Sequence, residues 1–368
     1  MSKCYICGCD ISKENESEEH IFLNSIGGNL RSKDLICVIC NSEFGNKIDA
    51  ALSKQLNIFA NMLNIERDRG VPQPFNVIDK KNDTLYSYEP GGKPKMIKPQ
   101  IKKGNNEYKI VCSDIKQAKQ ILNGLKRKHP QIDVDEVLEK SEKKKEYIDN
   151  HVAANICLGG NKEFRAICKI AMNYYLYAGG NCDYIKHLIP YIKCETDSET
   201  NVSPIYLDNE PIKKNNNDIL HSIIVIGRKN EKLLYAYIEL FGFYKVIVLL
   251  NKNYYGDDII YSYFFDVITR AEVQREYTLE ISKDEISNVL NKNELPIDQM
   301  SAEINQFMKK VFDKQNKDHI DELLNNALEN SLKKYPEGEI ITEEMHKELI
   351  NETMKQITPW LLHNLKDK

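Results

Sequence analysis

Two cysteine pairs near the start of the chain constrain its fold more than any other feature. The pairs are Cys4 with Cys7 and Cys37 with Cys40, and residues 8–36 connect them. Four thiolates in two such pairs can surround one Zn²⁺ ion tetrahedrally, which leaves no open coordination position for a substrate. We therefore predict a structural zinc site that stabilises a small N-terminal domain, because such a domain buries little apolar surface by itself.

Cys9 is an alternative ligand, because it lies only two residues beyond Cys7. We choose Cys4 and Cys7 as the first pair, since their spacing equals that of Cys37 and Cys40. The chain has ten cysteines and begins with a polar segment rather than an export signal. These two features predict a cytoplasmic protein in a reducing environment, where clustered thiols bind metal more often than they form disulfides.

The composition predicts a folded protein with several domains. The chain has 368 residues, of which 41% are hydrophobic and 29% are charged, as in ordinary globular proteins. No apolar run is long enough to span a bilayer, so we predict no membrane partner. The formal net charge of -4 argues against a chain that is held on nucleic acid by overall charge. The lysine-rich stretch 80–145 is either a solvated surface or a phosphate contact surface.

The sequence predicts an α+β multidomain protein with three parts. Residues 1–70 form the zinc-stapled domain and end in a long amphipathic helix after the second cysteine pair. Gly70, Pro72 and Pro74 predict a linker behind this helix. Residues 75–295 are predicted to be a central mixed α/β region with an antiparallel sheet, and residues 296–368 a helical C-terminal part. The predicted N-terminal helix has apolar residues three or four positions apart: Phe44, Ile48, Leu52, Leu56, Phe59 and Leu63.

Local patterns add detail to the central region. Short alternating segments between residues 75 and 111 predict strands, and residues 113–130 and 162–180 predict helices whose buried positions form core. Three β-branched and aromatic runs between residues 219 and 250 predict an antiparallel meander with turns at Gly227 and Gly242.

The segment between the cysteine pairs carries the residues that indicate chemistry. Glu19 and His20 are followed by an apolar run and by Gly27-Gly28, and Asn41 directly follows the last cysteine of the second pair. Together with the four paired cysteines, these residues resemble the HNH endonuclease family over the N-terminal domain only. The resemblance implies a treble-clef or ββα-metal domain, in which the acidic residue and the histidine lie on the first strand.

Hydrolysis of a phosphodiester requires a base for the attacking water and neutralisation of negative charge on the phosphoryl and leaving oxygens. The resemblance implies that His20 is the general base. It also implies that Glu19 and Asn41 supply oxygen ligands for a catalytic Mg²⁺ or Mn²⁺. Neighbouring residues on a strand point to opposite faces. In the family the metal lies between strand and helix, while the histidine faces the substrate.

One position departs from the family pattern. The middle asparagine, which pins the loop that carries the histidine, has no clear counterpart here. Asn29, Ser32 and Asp34 are nearby, and Asp34 can accept hydrogen bonds in its place.

We therefore predict a metal-dependent DNA endonuclease whose larger remainder provides binding, assembly or control. The architecture resembles that of bacterial effectors of defence against phage. Two alternatives remain: a non-catalytic zinc module that binds nucleic acid or protein, and an RNase that uses the same site. A homodimer is expected, because double-strand cleavage by modules with a single site commonly needs two copies.

Overall fold

The chain folds into two compact units in this computed structural model. The first comprises Met1–Gln73 and Ile156–Phe312, and the second comprises Pro74–Asn155 and Asp313–Lys368. The first unit therefore joins the N-terminal segment to most of the predicted central region, and it ends its N-terminal part within the predicted linker. Residues 143–145, the last lysines of the lysine-rich stretch 80–145, lie outside the described residues. The structure describes residues 2–105, 107–142, 147–148, 150–196, 201–292, 295–333, 335, 338 and 340–366.

The described residues form helices and antiparallel strands in the following order. The strands are β1 (Glu19–His20), β2 (Arg31–Ser32), β3 (Phe75–Asp79), β4 (Thr84–Glu89), β5 (Lys93–Met96), β6 (Gln100–Lys103), β7 (Tyr108–Val111), β8 (Val152–Ala153), β9 (Val202–Pro204), β10 (Leu220–Arg228), β11 (Leu233–Leu240), β12 (Tyr244–Asn251), β13 (Ile259–Asp266) and β14 (Ala271–Glu272). The α-helices are α1 (Val38–Phe44), α2 (Ala50–Met62), α3 (Ile115–Lys126), α4 (Val134–Glu139), α5 (Asn161–Tyr177), α6 (Ile189–Ile192), α7 (Lys283–Asn291), α8 (Ile297–Leu332) and α9 (Glu343–Lys366).

The N-terminal segment has the order strand, strand, helix. β1 pairs antiparallel with β2, and His20 lies opposite Arg31. Gly27 adopts a φ of +98° in the connection between the strands, a conformation that glycine adopts readily. Gly28 is required for a different reason, because a Cβ there would lie 2.0 Å from the carbonyl oxygen of Phe22.

The predicted amphipathic helix is confirmed, and it contains an irregular turn. α1 and α2 are joined without a break by a π-helical turn, Gly45–Asp49. All six predicted apolar positions of this helix are buried. Turns of this kind often accompany functional sites, and here the turn ends at Asp49, a buried carboxylate.

A six-stranded antiparallel sheet forms the main core of the first unit, in the order β14-β13-β10-β11-β12-β9. The predicted meander is confirmed in β10, β11 and β12, and Gly242 lies in a turn with a φ of +72°. The prediction of a turn at Gly227 was wrong, because Gly227 lies within β10 and pairs with Leu234 and Ile259. A Cβ on Gly227 would lie 2.8 Å from the Ile259 side chain, so close packing requires this glycine.

Helix α5 occupies the position predicted from its periodicity, but its buried residues include polar ones. Most of its apolar residues are buried as expected, and so are Arg165, Lys169 and Asn173. These three recur every four residues, which places them on one face of the helix. Core packing therefore describes only part of the role of α5.

The second unit contains a four-stranded sheet in the order β5-β4-β3-β8 and a separate β6-β7 hairpin. Strands β3 to β7 confirm the strands predicted between residues 75 and 111. Helices α8 and α9 confirm that the C-terminal part is helical. Helix α3 lies within the predicted segment 113–130, and the side chain of Asp114 at its N-cap accepts a hydrogen bond from the backbone N–H of Gln117. Within the described part of the chain, no helix combines the length and the apolar character needed to cross a membrane.

Candidate active site and metal centre

Thiols from both cysteine pairs meet at the N-terminus of α1. The ligand atoms of Cys4, Cys7, Cys9 and Cys37 all lie within 4.8 Å of one another, and the Sγ atoms of Cys7 and Cys37 are 3.8 Å apart. Four sulfurs at Zn–S distances of about 2.3 Å around a tetrahedral ion would be separated by about 3.8 Å. The chemistry and spacing of these donors therefore fit a structural zinc ion.

The four thiols that lie within this distance include Cys9 and not Cys40, which was the predicted fourth ligand. Cys40 is buried beside the same thiols, and burial, followed by its contact with Cys37, raises its pKa. A backbone hydrogen bond at Cys9 lowers the pKa of Cys7 to about 6, which favours the thiolate that metals bind. Five thiols thus converge on one site, and the choice of Cys40 as the fourth ligand stays a prediction.

Glu19 points into the interior of the first unit. Its side chain is only 3% exposed, and its Oε1 lies 2.6 Å from the Nζ of Lys169. The same oxygen accepts a hydrogen bond of 2.7 Å from the amide of Asn173. Lys169 also lies 2.6 Å from Oδ2 of Asp49, so one ammonium joins two buried carboxylates.

His20 points in the opposite direction, as strand alternation requires. Its side chain is 19% exposed, and its Nε2 lies 3.1 Å from Oδ2 of Asp68. The other carboxylate oxygen of Asp68 accepts a hydrogen bond of 3.2 Å from the guanidinium of Arg31. Arg31 in turn pairs with Glu18 at 3.3 Å. His20 is therefore part of a cluster of polar side chains that solvent can reach.

Charge and burial act together on the imidazole of His20. Partial burial lowers its pKa, and the positive charge of Arg31 adds to this effect. The carboxylate of Asp68 opposes both, but the pKa remains below its ordinary value. A neutral imidazole is the form that can accept a proton.

The residues proposed to replace the middle asparagine make other contacts. Asn29 accepts a hydrogen bond from Arg31, and Asp34 accepts one from the hydroxyl of Ser2. The imidazole of His20 instead hydrogen-bonds to the carboxylate of Asp68, beyond α2. The sequence analysis missed Asp68, because its distance along the chain gives no local signal.

Each of the two predicted oxygen ligands contacts another side chain of the protein. Mg²⁺ needs carboxylate oxygens at about 2.0–2.1 Å, but Oε1 of Glu19 is already bound to an ammonium and an amide. The amide nitrogen of Asn41 donates a hydrogen bond of 2.7 Å to the hydroxyl of Ser17, which ties α1 to the segment before β1. The ligand roles of Glu19 and Asn41 stay predictions.

Lys169 and Asn173 were also missed as site residues. Helix α5 was predicted to contribute core only, yet it supplies both partners of Glu19. Tyr5 extends the network, because its hydroxyl donates a hydrogen bond of 2.7 Å to Oδ1 of Asn173. The available signal was the four-residue spacing of Arg165, Lys169 and Asn173 within an otherwise apolar helix.

Comparison with known proteins agrees with this local picture. Residues 4–57 match the family model of the HNH endonuclease. The searches of curated proteins and of solved structures found no match. A match to this family suggests a nuclease that binds nucleic acid, and the cysteine cluster is compatible with zinc. The N-terminal segment of this chain is therefore similar to the HNH endonuclease family over residues 4–57.

Proposed function

We propose that the N-terminal domain is an endonuclease that hydrolyses phosphodiester bonds of DNA, with His20 as the general base. The observation that carries the proposal is the partly exposed imidazole of His20, which lies within the matched segment 4–57 and is held 3.1 Å from the carboxylate of Asp68. The ββα order of this segment supports a treble-clef arrangement around the zinc.

Asp68 supports this role by fixing the tautomer of the imidazole. A hydrogen bond from Nε2–H of His20 to Asp68 leaves the lone pair of Nδ1 free to accept a proton. Nδ1 then removes a proton from water, the water oxygen attacks phosphorus, and the bond from phosphorus to the leaving oxygen breaks. The leaving oxygen takes the electron pair of that bond and gains a proton from solvent, and the imidazolium returns its proton to solvent. The lowered pKa of His20 keeps the imidazole neutral before this step.

Arg31 is placed to contact the substrate phosphate. Its side chain is 34% exposed and lies opposite His20 on the paired strand. A guanidinium presents several N–H donors in one plane and remains charged at neutral pH, so it stabilises negative charge that develops on phosphoryl oxygens. Asp68 and Glu18 hold the guanidinium in position until a phosphate replaces one of these contacts.

No step is assigned to a metal ion at Glu19 and Asn41, because Lys169 occupies the carboxylate of Glu19. Cleavage assays with and without these ions test the predicted dependence on Mg²⁺ or Mn²⁺. Zinc has a separate role, since an ion held by four thiolates staples the domain and leaves no position for substrate.

The test is cleavage of supercoiled plasmid by the full chain, with and without Mg²⁺ or Mn²⁺. We expect the wild type to nick or linearise the plasmid and His20→Ala to lose activity by roughly 10²–10⁴-fold, the usual contribution of a general base. His151→Ala is the matched control, because His151 is an exposed histidine in the second unit. Wild-type activity that survives in His20→Ala would refute the assignment.

Two further arms define the substrate and the metal requirement. Single-stranded DNA and RNA are assayed in parallel with duplex DNA, and preferential cleavage of RNA would replace the proposed DNA substrate. A chelator is applied for a period in which the zinc content stays constant, so that loss of activity reports a second metal rather than unfolding.

A non-catalytic binding module is the second candidate, and the Glu19–Lys169 ion pair favours it. In that case the wild type and His20→Ala would bind DNA equally, and neither would cleave any of the three nucleic acids. Defence against phage rests on architecture alone. It predicts that cells expressing the wild type, but not His20→Ala, reduce the plating efficiency of phage.

A further inference from the structure

The ammonium of Lys169 is enclosed by groups that normally accompany a bound cation. It lies 2.6 Å from Oε1 of Glu19 and 2.6 Å from Oδ2 of Asp49. The ring of Phe44 lies on a further side, with its centroid 5.4 Å from Nζ. The side chain of Lys169 is only 2% exposed, so water contributes little to its solvation.

The lysine stays charged in this environment. Burial alone lowers the pKa of Lys169, but the carboxylates of Asp49 and Glu19 more than offset this effect and raise it. A charged ammonium at 2.6 Å from Oε1 of Glu19 and a divalent ion at about 2 Å from the same oxygen would lie close together and repel each other. The two cations therefore compete for this carboxylate.

The pocket remains more acidic than its single lysine can neutralise. Two carboxylates face one ammonium, and Oδ1 of Asp49 is buried without a hydrogen-bond partner among the described residues. The amide nitrogen of Asn173 occupies Oε1 of Glu19 from another side. A buried oxygen without a partner is costly, and a metal ion is one of the groups that can satisfy it.

We propose that Lys169 is the resident cation of Glu19, so that the wild type holds no divalent metal at this residue, and that removing the ammonium turns Glu19 and Asp49 into a site for Mn²⁺. Helix α5 thus supplies in covalent form the positive charge that the family resemblance assigns to a metal ion. Metal binding is measured without nucleic acid, so its outcome does not depend on the proposed nuclease activity.

The experiment measures Mn²⁺ binding to the zinc-loaded full chain by electron paramagnetic resonance of the free ion. Mn²⁺ prefers oxygen ligands, so zinc held by thiolates does not compete for the same site. We expect no difference in Mn²⁺ binding between the wild type and Glu19→Gln. Lys169→Met, which keeps an unbranched side chain of similar length without its charge, is expected to bind one additional Mn²⁺ per chain.

Two variants complete the design. The double variant Lys169→Met with Glu19→Gln should lose the additional Mn²⁺, and Lys169→Arg should bind no more than the wild type. Mn²⁺ should also raise the Tm of Lys169→Met and leave the Tm of Lys169→Arg unchanged. If Lys169→Met fails to fold, the comparison of wild type with Glu19→Gln still tests whether the wild type holds a divalent metal at Glu19.

Two results would overturn the proposal. The first is a Mn²⁺ ion bound by the wild type and lost in Glu19→Gln, because the metal would then displace the lysine. The second is a folded Lys169→Met variant that binds no additional Mn²⁺, because the pocket would then be only an ion pair. A nuclease that is inactive under all conditions would leave both binding measurements intact.

Discussion

Glu19 and His20 are neighbours in the chain, yet they belong to two contrasting regions of the first unit. Glu19 faces a closed polar network with Lys169 and Asp49, in which distances are about as short as hydrogen bonds allow. His20 faces an open cluster with Asp68 and Arg31, in which the distances are 3.1 Å and 3.2 Å and the side chains are partly exposed.

The contrast indicates that the two residues of a single motif serve different purposes here. In the closed network, stability depends on complete pairing, because an uncompensated buried charge is costly. In the open cluster, solvent screens the charges and the polar contacts can exchange with a substrate. Substitutions on the closed side should therefore change stability, and those on the open side should change activity.

The largest effect is expected for Lys169→Met, which leaves two buried carboxylates without their cation. We expect the free energy of unfolding to fall by about 3–5 kcal/mol, as for other broken buried ion pairs. Urea denaturation of zinc-loaded protein without added divalent cation measures it. Lys33→Met is the matched control, because Lys33 pairs with Glu16 at 2.7 Å on the surface. An equal loss in both variants would contradict the distinction between the two regions.

The next effect concerns acid and the buried residue His221. Its Nε2 donates a hydrogen bond of 2.8 Å to the carbonyl of Ile26, and its Nδ1 accepts one of 3.2 Å from the backbone N–H of Phe241. Burial lowers its pKa to about 4, whereas the pKa of a histidine in an unfolded chain is about 6.5.

Between these pH values the unfolded chain binds a proton that the folded chain does not, so stability falls as the pH drops. The difference of about 2.5 pKa units corresponds to about 3 kcal/mol, lost between pH 6.5 and pH 4. His221→Gln remains uncharged, so its free energy of unfolding should decline less over this range. Parallel curves for the two proteins would show that other groups cause the acid sensitivity.

The smallest effect is expected for Asp68→Ala on the open side. Loss of the hydrogen bond frees the imidazole of His20 to rotate and to change tautomer, so we expect kcat to fall by roughly 10–10²-fold, as for other orienting partners. KM should change little, and Asp68→Asn should recover part of the rate. Plasmid cleavage kinetics provide both constants, and urea denaturation should give unchanged stability. A rise in KM alone would indicate that Asp68 acts on substrate binding.

Much of the local structure could be predicted from the sequence. The spacing of apolar residues predicted the helix that contains Phe44 and Leu56, and the β-branched runs predicted the central strands. The error at Gly227 arose because a glycine in a turn and a glycine in a crowded strand look the same in one sequence. The convergence of thiols followed from their spacing, but the spacing did not distinguish Cys9 from Cys40.

The sequence by itself determined the features whose residues lie close together along the chain. These are the thiol cluster, the Glu19-His20 strand and the Gly27-Gly28 connection. Only the tertiary structure decided their partners, since Lys169 comes from a helix far along the chain and Asp68 from the segment beyond α2. The physical reason is that strand alternation sets which way a side chain points, whereas the charge it meets depends on distant packing. In this fold, packing places Lys169 beside Glu19 and Asp68 beside His20.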